Sequence, residues 1–143
     1  MQQRHQSAQW FLFLAWLVAL IAVLFSLYSS EVLGMTVCHL CWYQRICLFP
    51  LVLLLGIGAF RGETQVVIYA IALPVIGGLF ALYQYLEQML PGFSPIKMCT
   101  VGGDCSVIHF KWLGFITFPL LSLFACVILV ILLWLARALD QAG

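Results

Sequence analysis

The sequence predicts an all-α integral membrane protein, a four-helix bundle with only short loops outside the lipid. Three observations carry that prediction. Hydrophobic residues fill 65% of 143 positions and charged residues 8%, whereas a soluble domain has about 25% charged residues. So few charges cannot cover a water-facing surface. Four apolar runs approach the roughly 20 residues that cross a bilayer at ~1.5 Å per residue. The breaks between them are too short to hold a soluble domain. No repeat, low-complexity segment or soluble domain boundary is visible, so residues 1–143 read as a single transmembrane domain.

The first run extends from Trp10 to Tyr28 without a charge. It exceeds the roughly 7–15-residue core of a signal peptide, and no A-x-A-like site follows it. It is therefore expected to persist as a helix. Ser29 to Leu40 is the first long break. The second run spans about Tyr43 to Phe60, with Arg45 close to its start. Arg61-Gly62-Glu63-Thr64-Gln65 then forms a tight turn. The third run spans about Val66 to Tyr85, and Pro91 and Pro95 prevent its continuation. After the second long break, Leu86 to Leu113, the fourth run spans about Gly114 to Ala136. Four crossings put both long breaks on one side and both termini on the other.

Charge gives the orientation. Arg4, Arg61 and Arg137 lie on the terminal side, Lys97 and Lys111 on the loop side. The positive-inside rule leans toward cytoplasmic termini. Paired cysteines lean the same way, because disulfides persist outside the cytosol. The cysteine-bearing loops are therefore expected to face the periplasm or the extracellular space. A net charge of +1 without a Lys/Arg cluster argues against a nucleic-acid partner. The partner that composition does imply is the lipid bilayer.

The chemistry lies in two cysteine pairs, one in each long break. Cys38-His39-Leu40-Cys41 has the C-x-x-C spacing of redox dithiols. Cys41 falls at the start of the second helix, where unpaired amides and the helix dipole favour a thiolate. Arg45, four residues on, projects from the same face. Its charge cannot be lost and can stabilise an anion there. An ionisable group just inside a membrane is a functional candidate. Gln44, at i+3 from Cys41, can add a hydrogen bond. Snorkelling is the structural reading of Arg45. His39 reads equally as a modulator of the thiols and as a solvated linker residue.

Cys99 and Cys105 flank Gly102-Gly103, which eases a tight turn and a small-loop disulfide. Closing so small a loop restrains less chain entropy than the roughly 3 kcal/mol of a 15-residue loop. An exchange site therefore suits the pair better than a staple. Structural disulfides, or a zinc site shared by both pairs, are the alternatives. Cys47 and Cys126 lie deep in apolar segments and read as small buried residues.

The stretch Cys38-His39-Leu40-Cys41-Trp42-Tyr43-Gln44-Arg45 resembles the C-x-x-C-x-Tyr-x-Arg signature of the DsbB family. Gly103-Asp104-Cys105, Trp112-Leu113-Gly114 and Pro119 resemble its approach to the last helix. The short spacing between Cys99 and Cys105 resembles the BdbC-type branch. The resemblance implies a quinone-dependent oxidoreductase that reoxidises a DsbA-like, thioredoxin-fold thiol oxidase. Cys99 would take the mixed disulfide with that partner, Cys105 would exchange with Cys38, and Cys41 would face the quinone beside Arg45. The acceptor would be ubiquinone or menaquinone from the membrane pool. Gln84, Glu87 and Gln88 are the candidates for a polar quinone contact near the end of the third helix. The resting state, Cys38–Cys105 or two within-pair bonds, stays open. So does the reverse direction, a thiol reductase delivering electrons outward.

Overall fold

The computed structural model describes residues 2–34, 39–90 and 117–142. Its elements are α1 (Gln2–Glu31), α2 (His39–Arg61), α3 (Val66–Ala70), α4 (Ala72–Met89) and α5 (Phe118–Gln141). No strand occurs among the described residues. Helices α3 and α4 form one crossing, so four helical spans are long and apolar enough to cross a membrane. The shorter spans have 23 or 24 residues, about 35 Å at ~1.5 Å per residue, against a hydrocarbon core of about 30 Å. The sequence-predicted fold class is thereby borne out.

The helices outrun the apolar segments that predicted them. Helix α1 begins at Gln2 rather than near Trp10. Residues 2–9 are polar but contain no glycine or proline, so nothing stops the helix from extending into water. Ala8 on that extension is fully buried, and Arg4 Nη1 donates to the Ala142 carbonyl at 2.9 Å. The two chain ends are thus tied together at one end of the bundle. Helix α2 starts at His39 rather than Tyr43, which puts Cys41 inside its first turn.

The third crossing is interrupted at Ile71. Pro74 lacks the N–H that would pair with the Ala70 carbonyl, and a helix loosens where that bond is missing. The turn before it is fixed by Gly62, whose φ of 70° suits a residue without a Cβ. Glu63 N–H reaches back to the Gly58 carbonyl at 3.0 Å. That bond spans the end of α2 in the Schellman arrangement. A side chain at Gly62 would also meet Gln9 Nε2. The tight turn expected at 61–65 is present. Helix α5 begins with Thr117 at its cap and Pro119 in its first turn, where a missing N–H costs nothing. The predicted start near Gly114 lies outside the described residues.

Neighbours around the bundle run α1, α2, α4, α5 and back to α1. The large core lies toward the chain ends: Leu12, Ala15 and Ala19 of α1, Leu48, Leu51 and Leu55 of α2, and Leu129, Leu133 and Ala136 of α5. Lipid tails are as apolar as leucine, so close backbone approach through small residues, rather than a hydrophobic drive, holds such helices together. Ala15, Ala19, Ala81, Gly77 and Gly78 supply it. The outer surface is large and apolar, with Ile21, Leu53, Leu79 and Ile131 all more than half exposed. A second, smaller cluster surrounds buried Leu40 with Cys41, Phe80 and Tyr83, at the loop end of α2 and α4.

Candidate functional site

That loop-end cluster carries the polar groups. Cys41 is the third residue of α2 and is half-buried. Gln84 of α4 is 3% exposed and faces it. Gln84 Nε2 lies 3.4 Å from Cys41 Sγ, and Gln84 Oε1 lies 3.7 Å from the same sulfur. Gln44, one turn beyond Cys41, donates from Nε2 to Gln84 Oε1 at 2.9 Å. The oxygen has a second lone pair, so the Gln84 amide can accept from a Cys41 thiol through Oε1 and donate to the sulfur through Nε2. The amides form a chain, Gln44 to Gln84 to Cys41, across α2 and α4.

Arg45 sits beside this chain and is 7% exposed. Its Nε donates to Ser26 Oγ at 2.9 Å and its Nη2 to the Ser26 carbonyl at 2.7 Å. Its Cζ stands 5.7 Å from the centroid of the Trp42 ring, within reach of a cation–π contact. Among the described residues its hydrogen-bond acceptors both belong to neutral Ser26. A buried cation held by neutral groups leaves positive potential in the site. Tyr43 and Phe80 stack at 5.2 Å between ring centroids on the lipid side of α2 and α4.

The structure holds Cys41, Gln44 and Arg45 within the first two turns of α2, with Cys41 and Gln44 bonded to Gln84 of α4 and Arg45 bonded to Ser26 of α1. It adds Gln84, one of three candidates the sequence left open. Glu87 stands three residues further along α4, half-buried near its loop end. His39 is exposed as the first residue of α2. Ser26 was missed. Its signal was present, since it is the one non-aromatic polar residue between Trp10 and Tyr28. Cys38, Cys99 and Cys105 lie outside the described residues.

Cys47 and Cys126 are buried, from α2 and α5. They meet across Gly77 of α4, where a methyl group would lie 3.4 Å from Cys47 Cβ and 3.6 Å from Cys126 Sγ. Both fill space that the glycine leaves, as expected of small apolar side chains. No group of three or more His, Cys, Asp or Glu residues able to hold a metal occurs among the described residues.

Four membrane-length helices, with a thiol bonded to a buried amide and a buried cation on the same helix, make a small membrane protein with a polar, thiol-bearing end. The comparisons agree. The model of the family "Disulfide bond formation protein DsbB" matches residues 8–136. This chain belongs to the DsbB family, as a multi-pass membrane oxidoreductase of disulfide-bond formation. It is 52% identical to a probable disulfide formation protein of Coxiella burnetii over 132 residues, 91% of this chain and 90% of that one. It is 48% identical to disulfide bond formation protein C of Bacillus subtilis over 127 residues, 89% and 92% of the two chains. A probable disulfide formation protein of Chlamydia muridarum is 46% identical over 114 residues, 80% of this chain and 82% of that one. No solved structure gives a significant match.

Proposed function

We propose that this protein reoxidises a DsbA-like, thioredoxin-fold thiol oxidase and passes the electrons to quinone, in a bacterial cytoplasmic membrane with both termini inside. The observation that carries the reading is the set of Cys41, Gln84 and buried Arg45 at the lipid boundary. A thiol there meets hydrogen-bond donors without leaving the membrane. A quinone head group has two ring oxygens that need donors and a ring that suits apolar walls. Arg45 and the amides of Gln44 and Gln84 fit the first need, and Leu40, Phe80 and Tyr43 the second.

The electron count is simple. The reduced donor gives up two electrons and two protons as its thiols become a disulfide. A quinone supplies the complementary chemistry by accepting two electrons and two protons. Between these ends, the chain's cysteines exchange bonds without net change. The donor's first thiolate attacks Cys99, which opens the Cys99–Cys105 disulfide, forms a mixed disulfide and frees the Cys105 thiolate; the donor's second thiolate then displaces Cys99 and the donor leaves as a disulfide. The Cys99–Cys105 thiols then reduce Cys38–Cys41 through Cys105 and Cys38. Cys41 is left as the thiol nearest the acceptor. Arg45 and the N-terminal turn of α2 hold negative charge there. Gln84 Nε2 supplies a further donor to the sulfur.

Two measurements test this. Purified protein in detergent is mixed with reduced donor and a short-chain quinone, and quinol and donor disulfide are followed together. Equal yields are expected. Donor oxidation without quinol formation would overturn the assignment of the acceptor. With a donor that lacks its second cysteine, the Cys99–Cys105 disulfide should open into a mixed disulfide between Cys99 and the donor that accumulates, because the thiolate that would release it is absent. Accumulation of the mixed disulfide on Cys105 instead would invert the order.

A further inference from the structure

We propose that Ser26 of α1 is a positioning residue that presents Arg45 to the electron acceptor. The proposal rests on the quinone reading above. The first observation is where Arg45 points. An arginine at the seventh position of α2 has a long stem and a nearby water boundary, so snorkelling would solvate its charge. It turns into the bundle instead and leaves 7% of its surface exposed.

The second observation is how Ser26 holds it. Ser29 and Ser30 turn their hydroxyls onto their own helix, to the Phe25 carbonyl at 2.9 Å and the Leu27 carbonyl at 3.1 Å. Ser26 turns its hydroxyl oxygen to Arg45 Nε and adds its backbone carbonyl to Nη2. A carbonyl has two lone pairs, so it can accept here and still serve its helix. Two acceptors from one residue fix the edge of a planar, five-donor group. Trp42 lies 5.7 Å from Cζ. With one edge held by Ser26, the Nη1 side is the edge left to meet a ligand. A serine on α1 thereby decides which way a guanidinium on α2 faces, and α1 becomes a working wall of the site.

The test uses full-length protein stripped of quinone, in three variants. Ser26→Ala removes the Nε acceptor but keeps the carbonyl. Ser26→Thr keeps the hydroxyl. Arg45→Met controls the place of Arg45 in the acceptor site. Binding of a short-chain ubiquinone is measured at equilibrium, alongside quinone KM and kcat and the exchange of reduced donor with the Cys99–Cys105 disulfide. Loss of one charge-assisted hydrogen bond predicts an about tenfold or greater rise in quinone Kd and KM for Ser26→Ala, with Ser26→Thr near wild type. Donor exchange should be unchanged in both, which also reports that the variants are folded. Wild-type quinone binding in Ser26→Ala, while Arg45→Met has lost it, overturns the role of Ser26 and leaves the quinone reading standing. A Ser26→Ala defect that Thr does not restore, or one that extends to donor exchange, shows a packing role and equally overturns it. Unimpaired quinone binding and reduction in Arg45→Met would remove Arg45 from the acceptor site and overturn the role of Ser26, whereas absence of quinone binding and reduction in the parent protein would reject the quinone reading.

Discussion

Arg45→Met separates a functional arginine from a structural one, because the first role predicts a loss of quinone reduction in folded protein and the second a loss of stability with turnover kept. The guanidinium makes two hydrogen bonds, both to Ser26, and its partners are neutral. An arginine at the centre of a membrane helix costs about 2.5–3.5 kcal/mol on insertion scales, and less near the boundary. Each hydrogen bond to a charged group returns about 1.5–3 kcal/mol. Two such bonds return about 3–6 kcal/mol, which exceeds the cost by up to about 3 kcal/mol. Methionine removes the desolvation cost and keeps a flexible apolar side chain of similar reach. Ser26 is not stranded, because its hydroxyl can bond back within α1 as Ser29 does. The variant should therefore lose no more than about 3 kcal/mol of stability. Quinone reduction should fall much further. Negative charge that builds on the acceptor loses a charged donor, worth about 1.5–3 kcal/mol or roughly 10- to 150-fold in rate. The assay runs the half-reactions separately: reoxidation of Cys38–Cys41 by quinone, and exchange of reduced donor with Cys99–Cys105. The first should slow and the second persist. A variant that unfolds readily but reduces quinone normally in its folded fraction would show that Arg45 is a structural anchor. Failure of donor exchange with intact quinone reduction would put Arg45 on the wrong end of the electron path.

Other outcomes follow from the same geometry. Gln84→Leu should slow Cys38–Cys41 reoxidation and destabilise the bundle by about 1–3 kcal/mol, since it strands the buried Gln44 amide; unchanged quinone kinetics would remove Gln84 from the site. The double variant Cys47→Ala, Cys126→Ala should keep quinone reduction and lose about 1–2 kcal/mol of packing energy, and a folded but inactive protein would reveal a third redox pair. Gly62→Ala should cost about 1–2 kcal/mol from the left-handed backbone and the approach of Gln9; thermal unfolding in detergent measures it, and a neutral result would mean the turn relaxes. A membrane-impermeant thiol reagent should label reduced Cys99 or Cys105 in intact cells, whereas labelling only after the membrane is breached would reject the assigned topology.

The fold was legible because a bilayer demands a length of apolar chain, and four such lengths stand clear in the sequence. Helix ends were less legible. Hydropathy marks where lipid ends, whereas α1 ends where the backbone must turn, near Gly34 with φ 63°. The interruption at Ile71 was written in Pro74, but a proline near the start of a crossing is read equally as ordinary membrane composition. Within the site, Cys41, Gln44 and Arg45 were legible since one helix fixes their relative positions. Ser26 was not, and Gln84 stood only as one of three candidates, because each joins through a neighbouring helix. Which residue of α4 or α1 faces α2 depends on the register between helices. Outer faces as apolar as the inner ones leave that register unmarked.

That same lack of marking gives the polar residues a second role. In lipid, Leu, Ile and Phe gain little by choosing one neighbour over another. Gln44 with Gln84, and Arg45 with Ser26, each gain only in one register, because any other leaves a buried donor unmet. The first pair joins α2 to α4 and the second joins α2 to α1. Together they hold both flanks of the helix that carries Cys41, at the end away from the large apolar core. The groups that place the sulfur are thus the groups that would do chemistry on it. A substitution among them is read correctly only when stability and each half-reaction are measured separately. A shifted register would damage every readout in proportion, whereas a lost donor damages one step alone.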